Sequence, residues 1–164
     1  MILAVIGLAP LLALICLAGC KDPASTPTDT EVDAVIDGPG ARVTAVSVSG
    51  SEGARTFAVT IASPDSGCSQ YADWWEVVRA DGSLAYRRVL LHSHVTEQPF
   101  TRTGGPVPVA ADDSILVRAH MNTSGYGSRS FRGTIAGGLM AVDETSVFAP
   151  DLANLEPLPQ NCAF

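Results

Sequence analysis

Three histidines carry the most chemistry that this sequence offers, and two of them stand two residues apart. On a β-strand, His92 and His94 would share one face with their backbones ~6.6 Å apart, a spacing that suits chelation of one ion. His120 points outward by strand parity and is the candidate third ligand, with Glu97 close to the pair in sequence. A zinc or copper ion on these imidazoles, with one position open, would activate water for hydrolase or lyase chemistry. The plainer expectation is three solvated or hydrogen-bonded histidines and no cofactor. No nucleophile signature accompanies them: Gly-x-Ser-x-Gly, a phosphate-binding loop and His-Glu-x-x-His do not occur. Asp112 and Asp113 sit in turn chemistry that solvation explains. No catalytic residue is therefore expected, and an enzyme ranks below a binding module.

A second constellation fits that module. Trp74, Glu76, Tyr86, Arg88 and Arg118 are residue types that interfaces favour, and strand parity gathers them on one sheet face beside His92 and His94. Such a face could meet an envelope protein or a glycan. The alternative is that the C-terminal segment folds over this face and hides it.

The element that must position these residues runs from Tyr71 to His94, a β-hairpin around the Asp81-Gly82 turn signal. A two-residue turn would set Trp75 opposite Arg88. A three-residue loop, Ala80-Asp81-Gly82 with Gly82 left-handed, would set it opposite Arg87. The second register is expected, because it collects Trp75, Val77, Val89 and Leu91 into a core face. Before the hairpin, strands are expected over 43–48 and 56–61, where Phe57, Val59 and Ile61 alternate with smaller residues. After it, 95–102 reads as a polar crossing, 107–109 as a short edge strand next to Pro108, and 115–121 as a strand. In that strand Ile115, Val117, Ala119 and Met121 face inward, while Leu116, Arg118 and His120 face outward. Residues 131–135 are the expected last strand, and 150–155 can make one or two helical turns behind Pro150.

The chain has 164 residues with 17 acids against 10 bases, a formal charge of −7. That balance excludes a nucleic-acid partner, which needs a dense basic patch. Residues 2–18 are an almost unbroken apolar run, nearly long enough to span a membrane. Pro10 inside the run and the small residues before Cys20 favour a cleaved segment instead. Residues 20–40, rich in Pro, Thr and Asp, read as a disordered tether with a reach of roughly 25 Å. Of four cysteines, Cys16 falls in the discarded run. Cys68 and Cys162 are left to pair, as leftover cysteines in an exported protein most often do. One domain over 41–164 is expected.

Leu17-Ala18-Gly19-Cys20 resembles the lipobox of a bacterial lipoprotein signal peptide. The resemblance implies that residues 1–19 are cut away, that Cys20 carries a diacylglycerol and an acyl chain such as palmitate, and that the mature protein is lipid-anchored in the cell envelope. Lys21 after the cysteine implies outer-membrane sorting in a cell with two membranes, the domain lying in the periplasm or at the surface. Val117-Arg118-Ala119-His120-Met121-Asn122, running on to Gly125-Tyr126-Gly127, resembles the sixth strand and turn of a fibronectin type III domain. Trp75-Glu76-Val77 before Asp81-Gly82 is similar to the third strand. That resemblance implies an all-β, Ig/fibronectin-III-like sandwich with an irregular or helical C-terminal segment. The blocks 70–77, 92–102 and 118–122 and the terminal Cys162-Ala163-Phe164 also resemble unannotated exported bacterial proteins, which imply no activity. The expected function is a membrane-anchored envelope lipoprotein acting as a binding or structural module.

Overall fold

The computed structural model describes residues 40–163. The segment 1–19, Cys20 and the rest of the tether up to residue 39 lie outside the described residues. Among the described residues, nine strands and one 3-10 turn follow in chain order. They are β1 Arg42–Ser49, β2 Arg55–Ala62, β3 Ala72–Arg79, β4 Leu84–Val89 and β5 Phe100–Val107. Then come β6 Ile115–Met121, β7 Gly125–Tyr126, β8 Arg129–Thr134, β9 Gly138–Asp143 and the turn Pro150–Asn154. One antiparallel sheet has the order β1-β2-β5, the other β4-β3-β6-β8-β9, with β7 beside β6. This is the all-β sandwich of two antiparallel sheets that was expected, with β3 in the central place between β4 and β6.

The core lies between the sheets. Phe57, Val59 and Ile61 of β2, with Phe100 and Val107 of β5, meet Trp75 and Val77 of β3 and the inward residues of β6. The β6 parity read from sequence holds: Ile115, Val117, Ala119 and Met121 all enter this core. Burial of each large apolar side chain is worth roughly 1.5–3 kcal/mol.

Two boundaries differ from expectation. The stretch expected as a polar crossing ends in the first three residues of β5, which runs on to Val107 where the short edge strand 107–109 was expected to begin; its Phe100 pairs with Ile61 and its Gly104 with Phe57. Pro106 is tolerated there because β5 is an edge strand and the register slips beside it, between Arg55 and Phe57. Gly105 sits at that slip with φ +154°, and a Cβ there would come within 2.7 Å of the Arg55 carbonyl oxygen. The chain also makes one strand more than expected after β8. In β9 only Leu139 and Val142 are partly buried and Met140 is 72% exposed, so hydrophobic contrast is too weak to reveal it.

The hairpin register is corrected as well. The expected three-residue loop is present: Arg79 N–H donates to the Ser83 carbonyl at 2.9 Å, and Gly82 has φ +84°. A further bulge then leaves Ala85 without a partner, because Val78 pairs with Leu84 while Val77 pairs with Tyr86. The slip of one residue places Trp75 opposite Arg88 and Glu76 opposite Arg87. In the expected register the Arg87 guanidinium would have entered the core against Trp75, with no acid to pair it. The bulge turns Tyr86 inward onto Trp75 at 5.5 Å, and Arg87 outward to Glu76. Val89 therefore pairs across from Trp74, Leu91 is 59% exposed, and Leu90 fills the core instead.

Candidate functional site

Glu76 is the polar centre of the outer face of the larger sheet. It stands mid-strand in β3, fully buried, with Arg87 of β4 and Arg118 of β6 as its register neighbours. Arg87 donates from Nε and Nη2 to Glu76 Oε2 at 2.8 and 2.5 Å. Arg118 donates from Nε to Oε1 at 2.8 Å, and its Nη2 lies 2.7 Å from the same oxygen. Burying a carboxylate costs several kcal/mol of hydration, which such paired, bidentate contacts offset. The guanidiniums still have N–H groups to satisfy, and these reach the C-terminal segment. Arg87 donates to the carbonyls of Leu152 at 2.6 Å, Pro157 at 3.3 Å and Leu155. Arg118 donates to those of Ala149 at 3.2 Å and Phe148. Leu152 then packs on Val78 and Leu116, and the Cys68–Cys162 disulfide, with Cα atoms 5.6 Å apart, holds the end down.

This strap corrects the expected binding face. Trp74, Glu76 and Arg118 are each 3% exposed or less, lying where the segment crosses. Tyr86 and Arg88 have left that face altogether, because the Ala85 bulge turns them to the other side. The alternative raised by the sequence, a C-terminal cover, is the arrangement found.

The histidines are not brought together as a set of three. The His120 ring lies nearly parallel on Trp74, centroids 3.6 Å apart, with Nδ1 2.7 Å from Asp73 Oδ1. His94 stacks instead on Phe100 of β5, at 3.7 Å. Among the described residues no three His, Cys, Asp or Glu side chains stand close enough to share a metal ion. His92 and His94 also do not lie on a strand. The chain leaves β4 before them, so His92 is exposed while His94 is 3% exposed. Their rings are nevertheless neighbours, with centroids 4.6 Å apart. Asp65 organises this corner by accepting from Ser63 Oγ at 2.7 Å, the His94 amide at 2.8 Å and the Ala72 amide at 2.9 Å. The His94 imidazole is held down to about 4, first by burial, then by the nearby Arg102 and His92 charges, against the pull of Asp65 and Glu97. It is neutral at pH 7.

A cleft of about 370 Å³ opens where the strap leaves β9. Leu116, Val147 and Phe148 form its apolar wall, and Arg118, Tyr126 and Glu144 supply polar groups. Its size falls in the range of sites that take small ligands or chain ends. Tyr126 lies under the Arg118 guanidinium, 3.5 Å from its ring centroid, and burial together with the Glu76 charge pushes its hydroxyl up to about 12. Glu144 is held by Ser130 Oγ at 3.1 Å and Arg132 Nη2 at 3.0 Å.

Sequence reasoning missed Arg87, Asp65, Asp73 and the Glu144–Phe148 wall. For Arg87 a signal exists: a lone acid inside Trp74-Trp75-Glu76-Val77-Val78 can be buried only with a cation, and Arg87-Arg88 is the nearest source across the hairpin.

Fold and site define a disulfide-closed β-sandwich that covers one of its own sheet faces with its C-terminal segment. A protein from Halomicrobium mukohataei, named "Putative lipoprotein", is 40% identical to this chain over 74 residues. The match takes in 45% of this chain and 36% of that protein, so the chain spans about a third of the relative's length. No family model and no solved structure matches the chain.

Proposed function

We propose that this chain is a lipid-anchored envelope lipoprotein whose sandwich is a non-catalytic binding module. The anchor is Cys20, and the ligand enters the cleft beneath residues 144–148, not the flat sheet face. The lipobox before Cys20 and the lipoprotein name of the relative support the first part. The cleft carries the second, because the face that sequence reasoning favoured is committed to holding the strap. An envelope glycan or a peptide end from an envelope protein suits walls that mix aromatic surface with Glu144, Thr145, Ser146 and Ser128.

Two measurements test this. Cells expressing the full chain are labelled with radioactive palmitate; Cys20→Ala abolishes labelling and membrane fractionation, and unchanged labelling removes the anchor. The purified full chain is then co-sedimented with cell-wall glycan and separately mixed with envelope protein extract. Ser128→Trp, which fills the cleft from its rim, eliminates capture while Arg88→Ala retains it. Equal capture by both variants moves the ligand away from the cleft.

A further inference from the structure

We propose that a cavity at the open edge of the sandwich, lined by Arg88, Arg102, His92 and His94, is a second binding site and takes a short-chain monocarboxylate. It is separate from the cleft and from the strap-holding arginines. β4 ends the order of the larger sheet and β5 that of the smaller, and Arg88 and Arg102 stand on these two strands. Their side chains line one cavity of about 100 Å³ with the two imidazoles, and none of the described residues that form its wall is a carboxylate. Like charges that converge on a shared space repel unless something of opposite sign lies between them. Arg88 has no hydrogen bond or ion pair among the described residues, so its whole guanidinium fork is open to a ligand. The His94 side chain is 1% exposed, and neither ring nitrogen has a hydrogen-bonding partner among the described residues. A buried polar atom left unpaired in a native fold calls for a partner, and a neutral imidazole has one N–H to give.

Charge and size define the ligand. After burial, the strongest influence on His94 is the Arg102 charge, ahead of His92 and of the opposing Asp65 and Glu97, so the surroundings favour an anion. Asp65 is occupied elsewhere: Oδ1 accepts from Ser63 Oγ and the Ala72 amide, Oδ2 from the His94 amide, and Oδ2 stays 3.8 Å from His94 Nδ1. Glu97, outside the wall, grips the Arg102 Nη atoms at 2.7 and 3.2 Å, which steadies the guanidinium and leaves its Nε–H. A single carboxylate matches this balance, since a planar guanidinium binds its two oxygens in parallel. The rest of the wall is Val89, Leu90 and Leu91, which suits a short alkyl tail better than a hydrated phosphate. The cavity has less than a third of the cleft's volume, so it admits a small acid and not a sugar ring or a chain end. The His94 ring is held in place by the parallel stack on Phe100 at 3.7 Å. Ala163, next to Cys162, donates its amide to the Leu91 carbonyl at 2.7 Å, so the disulfide steadies the apolar wall.

The test uses the full chain without a polyhistidine tag and sodium butyrate as the probe, at an ionic strength held constant with chloride. The readout is the NMR shift of the His92 and His94 ring protons. Butyrate shifts both rings saturably at millimolar concentration, and it raises the pH at which His94 titrates, because a nearby anion favours the imidazolium. Arg88→Gln, at an exposed and unpaired position, keeps the fold and weakens binding at least fivefold. His94→Phe keeps the stack on Phe100 and weakens binding as read at His92. Butyramide, of the same size without the charge, leaves the rings unshifted, and inorganic phosphate binds at least fivefold more weakly than butyrate. Absence of a saturable shift overturns the proposal, as does equal butyrate binding by wild type and Arg88→Gln, or phosphate binding as tight as butyrate. Cleft-filling Ser128→Trp leaves the butyrate shifts unchanged, so the two sites stand or fall separately.

Discussion

Replacing Glu76 by Gln removes one charge and almost no volume, so it isolates what the carboxylate does. In the native fold four guanidinium nitrogens converge on its two oxygens, two from Arg87 on one side and two from Arg118 on the other. Both arginines are nearly inaccessible, at 5% and 3% exposure. The amide of Gln keeps one acceptor oxygen and turns an NH₂ group toward the second guanidinium. Two buried cations then face each other with that one amide oxygen and the strap carbonyls to accept from them. Leaving a buried charge uncompensated costs about 3–5 kcal/mol. A domain of this kind has a total stability of about 5–15 kcal/mol, so the loss is a large fraction of it. With a urea m-value near 2 kcal/mol/M, the midpoint falls by roughly 2 M. Tryptophan fluorescence reads the transition, since Trp74 lies under the Arg87 guanidinium at 4.5 Å. Glu97→Gln is the control: it breaks an exposed pair with Arg102, worth at most about 1 kcal/mol. Hydrogen exchange in the Glu76→Gln variant speeds up first over the strap. A loss under 1 kcal/mol, no larger than the control, refutes the idea that Glu76 organises this face.

Three further outcomes follow from the same structure. Removing both Cys68 and Cys162 opens a bond between residues 94 apart and costs about 4–5 kcal/mol in the chain-entropy model, read as a lower urea midpoint; unchanged stability contradicts it. Because His94 binds its proton near 4 in the folded state and near 6.5 when unfolded, the unfolded chain takes up more protons between those values. Stability therefore falls as pH drops from about 6.5 to 4, by up to roughly 3 kcal/mol; His94→Phe flattens that window, and an unaltered slope assigns it to other groups. Gly104→Ala places a Cβ 2.7 Å from Tyr86 Oη and 2.8 Å from Trp75 Cζ2, and overpacking of this kind costs about 1–3 kcal/mol, measured as a lower Tm; wild-type stability would mean the Tyr86–Trp75 contact yields freely.

What the sequence determined by itself is periodic and local. Alternation in β2 and β6 identified strands and their inward sides, because a period of two leaves no other way to bury Phe57, Val59 and Ile61 or Ile115, Val117 and Met121. Asp81-Gly82 identified the turn, since Gly82 supplies the left-handed residue that a three-residue loop needs. The pairing of Cys68 with Cys162 was legible by counting. Only the tertiary structure decided which residues share a face. The Ala85 bulge, invisible to pattern, moved Arg87 to Glu76 and turned Tyr86 and Arg88 away. The strap, whose carbonyls answer the two arginines, converted an expected binding face into an interior. The histidines divided for the same reason, His120 drawn to Asp73 and Trp74, His94 to Asp65 and Phe100. A one-residue slip costs a strand little locally. It decides, across the sheet, whether a buried charge meets its partner, and that long-range energy fixes the register.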